Sequence, residues 1–134
     1  DVDGVGGSKQ GVGHGVGDEL LRGIADRLRT VGPEGVIVSR LGGDEFVLAV
    51  GPTDEASLAL LAERVLEQVR LPLTELIGDW PLSASIGTVL WSPRPGEGAP
   101  FARDFIASAD QAMYKAKRAG KNTVARCLWS DIVS

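Results

Sequence analysis

Three stretches of the chain repeat apolar residues at helical spacing. From Asp18 to Val31, the residues Leu20, Leu21, Ile24, Leu28 and Val31 share one side, while Glu19, Arg22, Asp26, Arg27 and Arg29 cover the other. This is the pattern of a helix with one buried face. Asp18 and Glu19 suit its positive N-terminus, and Gly32-Pro33 ends it. In the second stretch, Leu58, Leu61, Val65, Leu66 and Val69 form the stripe. Thr53 fits its N-cap, with Asp54 and Glu55 in the first turn, and Pro72 stops it. The third helix is predicted over Ala102 to Ala119, with Phe105, Ile106, Ala109, Met113 and Ala116 facing inward and Gly120 as its stop.

Between the helices lie β-branched and alternating runs. Val36 to Val38 and Phe46 to Val50 flank Ser39 to Glu45, whose glycine pair reads as a hairpin connection. Leu73 to Ile77 and Pro81 to Trp91 read as two further strands, with Leu82, Ala84, Ile86, Thr88 and Leu90 on one face. Asn122 to Cys127 is a last short strand. The predicted order is helix, hairpin, helix, hairpin, helix, strand, which is an α/β (α+β) layer with mostly antiparallel pairing. Seven of the first 17 residues are glycine, so that segment reads as a loop that permits close backbone approach at a cost in ordering entropy.

A chain of 134 residues with 43% hydrophobic content is sized for one folded domain. Its net charge of −4 argues against a broad nucleic-acid surface, yet leaves room for a local phosphate site. A single cysteine, Cys127, permits no internal disulfide and fits a reducing compartment. No apolar run is long enough to span a bilayer and no signal-peptide pattern opens the chain. The expected setting is therefore cytoplasmic.

Three segments could carry chemistry. Gly42-Gly43-Asp44-Glu45-Phe46 combines glycines, over which a phosphate could approach the backbone, with two carboxylates suited to Mg²⁺. Taken alone, a solvated hairpin tip explains the same residues. Asp1-Val2-Asp3 places two carboxylates one residue apart. They are expected on opposite sides of the extended chain, one facing a site and the other supporting the loop. An acidic strand end is the plain alternative. Lys117 and Lys121 are four apart and would share a side if the helix persists, so that together they hold a triphosphate. Cations complementing a helix C-terminus explain them equally well. His14 is the only histidine, with no partner for a nucleophilic triad, and no zinc-ligand spacing or P-loop pattern is present.

Taken in order, these segments resemble the GGDEF family of diguanylate cyclases. The resemblance runs through DVDG at Asp1, VGHGVGDELL from Val12, SRLGGDEF from Ser39, SASIG from Ser83 and ADQAMYKAKRAGKN from Ala109. It implies a sheet related to nucleotidyl cyclases and polymerase palms, with flanking helices. It implies metal-dependent condensation of two GTP to cyclic di-GMP with release of pyrophosphate, between two GGDEF domains that meet face to face in a homodimer. By position, Asp1, Asp44 and the Val2 carbonyl would hold Mg²⁺ (or Mn²⁺), and Glu45 would support the metal or the attacking hydroxyl. Gly42 and Gly43 would leave room for phosphate, Asp18 would bond the guanine edge, and Lys117 and Lys121 would hold the β- and γ-phosphates. The resemblance also implies fused sensor or regulatory domains in a larger signalling protein, and a first strand ahead of Asp1 that is missing from residues 1–134.

The resemblance also exposes departures. The family's phosphate-facing lysine falls at Gly6 and its guanine-reading asparagine at Lys9, with Gln10 beside it. Losing one buried polar base contact costs ~1–3 kcal/mol, about one to two orders of magnitude in affinity. The family's inhibitory product site, an RxxD motif, falls on Pro33, Glu34, Gly35 and Val36, so no feedback inhibition through that turn is expected. These departures keep an alternative open: a degenerate, non-catalytic module that binds nucleotide weakly or regulates a protein partner.

Overall fold

The computed structural model of the chain describes residues 1–4, 14–71 and 81–129, and for residues 14–16 the backbone alone. In chain order the elements are β1 (Val2–Asp3), α1 (His14–Val31), β2 (Ile37–Gly42), β3 (Glu45–Ala49), α2 (Glu55–Arg70), β4 (Ser83–Leu90), α3 (Ala102–Arg118) and β5 (Thr123–Leu128). This is the predicted α+β arrangement. The predicted strand Leu73 to Ile77 and most of the glycine-rich loop lie outside the described residues.

β4 is the centre of a three-stranded sheet. It pairs antiparallel with β1, Val2 opposite Ala84 and Asp3 opposite Ser83. Its other edge pairs parallel with β5, from Ser85–Thr123 to Leu90–Leu128. A parallel neighbour requires a crossover connection, and α3 is that crossover. β2 and β3 form a separate antiparallel pair, joined to the first sheet where the Val2 amide donates to the Asp44 carbonyl at 3.0 Å.

The two-residue period of a strand divides the three-stranded sheet into two faces. Val2, Leu82 and Ala84 enter the core that Leu20, Leu21, Ile24 and Leu28 of α1 complete with Val65, Leu66 and Val69 of α2. The helices are tied end to side, because Arg27 donates to the Gln68 and Leu71 carbonyls at 2.9 and 2.7 Å, where α2 ends. On the other face α3 lies directly on β4. A Cβ at Gly87 would collide with the Ala109 carbonyl oxygen and the Met113 amide nitrogen, so only glycine allows this approach. A largely apolar cavity of ≈ 330 Å³ separates the hairpin from β4, with Phe46, Leu48, Ile86 and Met113 in its walls together with Asp1 and Glu45.

Four details differ from the sequence reading. α1 begins at His14, a turn earlier than Asp18, and its first turn holds no acidic residue. Glycine propensity argued for a loop there, but Gly17 is buried, and packing of an amphipathic face outweighs propensity. The α2 cap is Asp54, not Thr53: its carboxylate accepts from the Ser57 amide at 2.7 Å. The hairpin strands run much closer to the tip than predicted, with Gly42 opposite Glu45 and a bulge between Arg40 and Gly42. Only Gly43 and Asp44 remain between them, and Arg40 Nε closes the tip on the Gly43 carbonyl at 2.7 Å. Finally, α3 stops at Arg118, and Lys121 and Asn122 follow with φ of 64° and 51°.

Candidate functional site

Asp1, Val2, Asp44 and Lys117 meet where β1 pairs with β4 and reaches the hairpin turn. Asp1 and Ser85 form a hydrogen-bonded cross-strand pair, Asp1 N to Ser85 O at 3.0 Å and Ser85 N to Asp1 O at 2.9 Å. Val2 then binds the Asp44 carbonyl, which sets the hairpin turn beside β1.

Asp1 and Asp3 do not point to opposite sides as expected. Residues two apart in a strand share a face, and both carboxylates lie on the face turned to α3. They nonetheless divide the work. Asp1, with only 9% of its side chain exposed, pairs through Oδ2 with the Lys117 ammonium. Its Oδ1 is buried with no hydrogen-bond partner. Asp3 is saturated instead. It accepts from Ser83 Oγ at 2.9 Å, from Ser85 Oγ at 3.0 and 3.1 Å, and from the Asn122 amide at 3.1 Å. Arg70 Nε holds the Asn122 side chain from α2 at 2.8 Å. The left-handed turn carrying Lys121 and Asn122 is therefore fixed from two sides.

That tether is what the sequence reading missed. Ser83, Ser85, Asn122 and Arg70 are not recognisable as site residues by type, and the short Asp-x-Asp spacing left open which of its two carboxylates would have a supporting role. The reading of Lys117 and Lys121 as helical neighbours fails, since α3 ends between them; Lys121 stands exposed on the turn. Lys117 holds Asp1 in this structure. Gly42 and Gly43 take φ of 151° and 53°, and a Cβ on either would meet nothing within 4 Å. They are required by backbone conformation and leave the tip open. Asp44 and Glu45 are half-buried, Asp18 is exposed on α1, and Gly6, Lys9 and Gln10 lie outside the described residues.

A divalent cation fits part of this arrangement. Among the described residues no three His, Cys, Asp or Glu side chains gather as a metal cage. Mg²⁺ does not need one, since it commonly takes one or two carboxylates plus waters and substrate phosphates. The orphaned Oδ1 of Asp1 is a buried anionic oxygen with an open valence for such an ion.

Comparison with known proteins identifies the family. The family described as diguanylate cyclase, GGDEF domain, matches residues 2–123. The bifunctional diguanylate cyclase/cyclic di-GMP phosphodiesterase MucR of Pseudomonas aeruginosa is 37% identical over 122 residues, which is 91% of this chain and 17% of that protein. The cyclic di-GMP phosphodiesterase PdeR of Escherichia coli is 34% identical over 81% of this chain and 16% of its own length. The chain thus spans about a sixth of either relative. Among solved structures, the diguanylate cyclase SiaD of Pseudomonas aeruginosa, in complex with its activator SiaC, superimposes with a TM-score of 0.81 at 29% identity, covering 95% of this chain and 47% of that one.

Proposed function

The chain belongs to the GGDEF domain family of diguanylate cyclases, and from that premise we infer that it condenses two GTP to cyclic di-GMP, releasing pyrophosphate. The 3′-hydroxyl of one nucleotide attacks the α-phosphate of the other, each carried by one of two GGDEF domains. The observation that carries this reading is the union of Asp1 and the Asp44 turn through the Val2–Asp44 hydrogen bond, with Asp1 Oδ1 buried and unsatisfied.

In this reading Asp1 and Asp44 hold Mg²⁺ or Mn²⁺, with the Val2 carbonyl assisting. When bound, the metal supplies charge stabilisation at the phosphates and activation of the attacking hydroxyl. Glu45 supports the metal or that hydroxyl. The open backbone at Gly42 and Gly43 admits phosphate. Lys117 and Lys121 hold the β- and γ-phosphates as point charges, the second presented by the turn that Asp3 and Arg70 fix. Asp18 receives the guanine edge.

A second reading is a GGDEF domain that regulates without turnover. Its support is specific: Gly6, Lys9 and Gln10 stand where the family grips GTP, and PdeR, a relative, is named for the opposite activity. Incubation with GTP and Mg²⁺ followed by mass detection of cyclic di-GMP tests the first reading, with Asp44→Ala as control. Calorimetric GTP binding without product would favour the second.

A further inference from the structure

The Asp1–Lys117 pair has a consequence for the order in which ligands arrive. Only 9% of the Asp1 side chain is exposed, and the cation on it belongs to the protein itself. Lys117 sits in the last turn of α3, where a cation also complements the helix dipole. Its Nζ is 5.9 Å from the centre of the Tyr114 ring, a second surface that favours an ammonium. The group is thus held at Asp1 by three attractions, yet 31% of the side chain is exposed and it rides on a flexible stem.

We propose that Lys117 is a tethered counter-ion for Asp1, which keeps a divalent metal from settling there until nucleotide phosphate draws the ammonium away. The inference rests on the reading of Asp1 as a metal ligand and adds the order of binding. A metal approaching Oδ1 meets a positive charge already on Oδ2 of the same carboxylate, and in a partly buried site that repulsion is poorly screened. A polyphosphate removes it by offering Lys117 a more highly charged partner. Metal and nucleotide then bind with positive coupling, which is reciprocal by linkage.

The proposal demands opposite effects from one substitution. Mn²⁺ alone, with no nucleotide, is titrated into the protein and into Lys117→Gln, and bound ion is read by electron paramagnetic resonance. Lys117→Gln should bind Mn²⁺ about tenfold more tightly, equivalent to ~1.4 kcal/mol. The same variant should bind inorganic triphosphate more weakly by calorimetry without metal. Lys117→Met, which keeps the stem, repeats the test should the glutamine variant fail to match the parent's urea midpoint. Unchanged or weaker Mn²⁺ binding in both variants overturns the proposal. Adding Asp1→Asn to Lys117→Gln should abolish the gain. Persistence of the gain in that double variant would mean that the ion sits elsewhere, which overturns the metal-ligand reading of Asp1 along with the proposal.

Discussion

Replacing Asp3 by alanine removes the acceptor that joins three segments distant in sequence. The carboxylate accepts from Ser83 Oγ, Ser85 Oγ and the Asn122 amide, at 2.9 to 3.1 Å. Hydrogen bonds to a charged group contribute ~1.5–3 kcal/mol each in favourable settings. Ser83 is half-buried and Asn122 exposed, so water recovers most of what those two donors lose. Ser85 is fully buried at 0% exposure and is left facing an apolar methyl, a penalty of ~1–3 kcal/mol. The expected loss is about 2–5 kcal/mol, a large part of the ~5–15 kcal/mol typical of a domain. Asp3→Asn keeps one acceptor oxygen and should lose about half as much. Urea denaturation followed by circular dichroism gives both values. Amide hydrogen exchange at Asn122 should quicken in Asp3→Ala well beyond the global change. A loss under about 0.5 kcal/mol, with Asn122 protection unaltered, would refute the tether.

Two other substitutions probe the frame around the site. Gly87→Ala forces a methyl into the backbone of α3 at Ala109 and Met113, where no side chain can yield. The cost should reach or exceed the ~3 kcal/mol upper range of overpacking, and thermal denaturation will show it. The Asp54 carboxyl is held below its ordinary value of 3.8, chiefly by the Ser57 amide. Because the folded-state pKa is the lower one, the cap's contribution is complete above 3.8 and is lost as pH falls through the folded value. Asp54→Ala should therefore lower the urea midpoint near neutral pH and leave it closer to the parent in strong acid.

Periodicity located all three helices, because each buries one stripe: Leu20, Ile24 and Leu28 of α1, Val65, Leu66 and Val69 of α2, and Met113 and Ala116 of α3 are buried as expected. It failed at their ends, where packing at Gly17 and a carboxylate cap at Asp54 decided the boundary. The glycine pair and its carboxylates were visible as a turn, but its tightness depends on cross-strand register, which no local pattern encodes. Asp1 and Asp44 were legible as candidates by residue type and resemblance. Their junction through Val2 is a long-range contact, as is the bond from Asp3 to Asn122. The parallel pairing of β4 with β5 was hidden for the same reason. The need for glycine at position 87 likewise comes from a distant element, the backbone of α3 at Ala109 and Met113.

The most direct test of the account is the rate of cyclic di-GMP formation, read by mass, across a range of domain concentrations with saturating GTP and Mg²⁺. If two domains each present one GTP, the rate should rise more steeply than linearly with domain concentration at the dilute end. It should vanish in Asp44→Ala. No product at any concentration, or product unaffected by Asp44→Ala, would contradict the cyclase assignment.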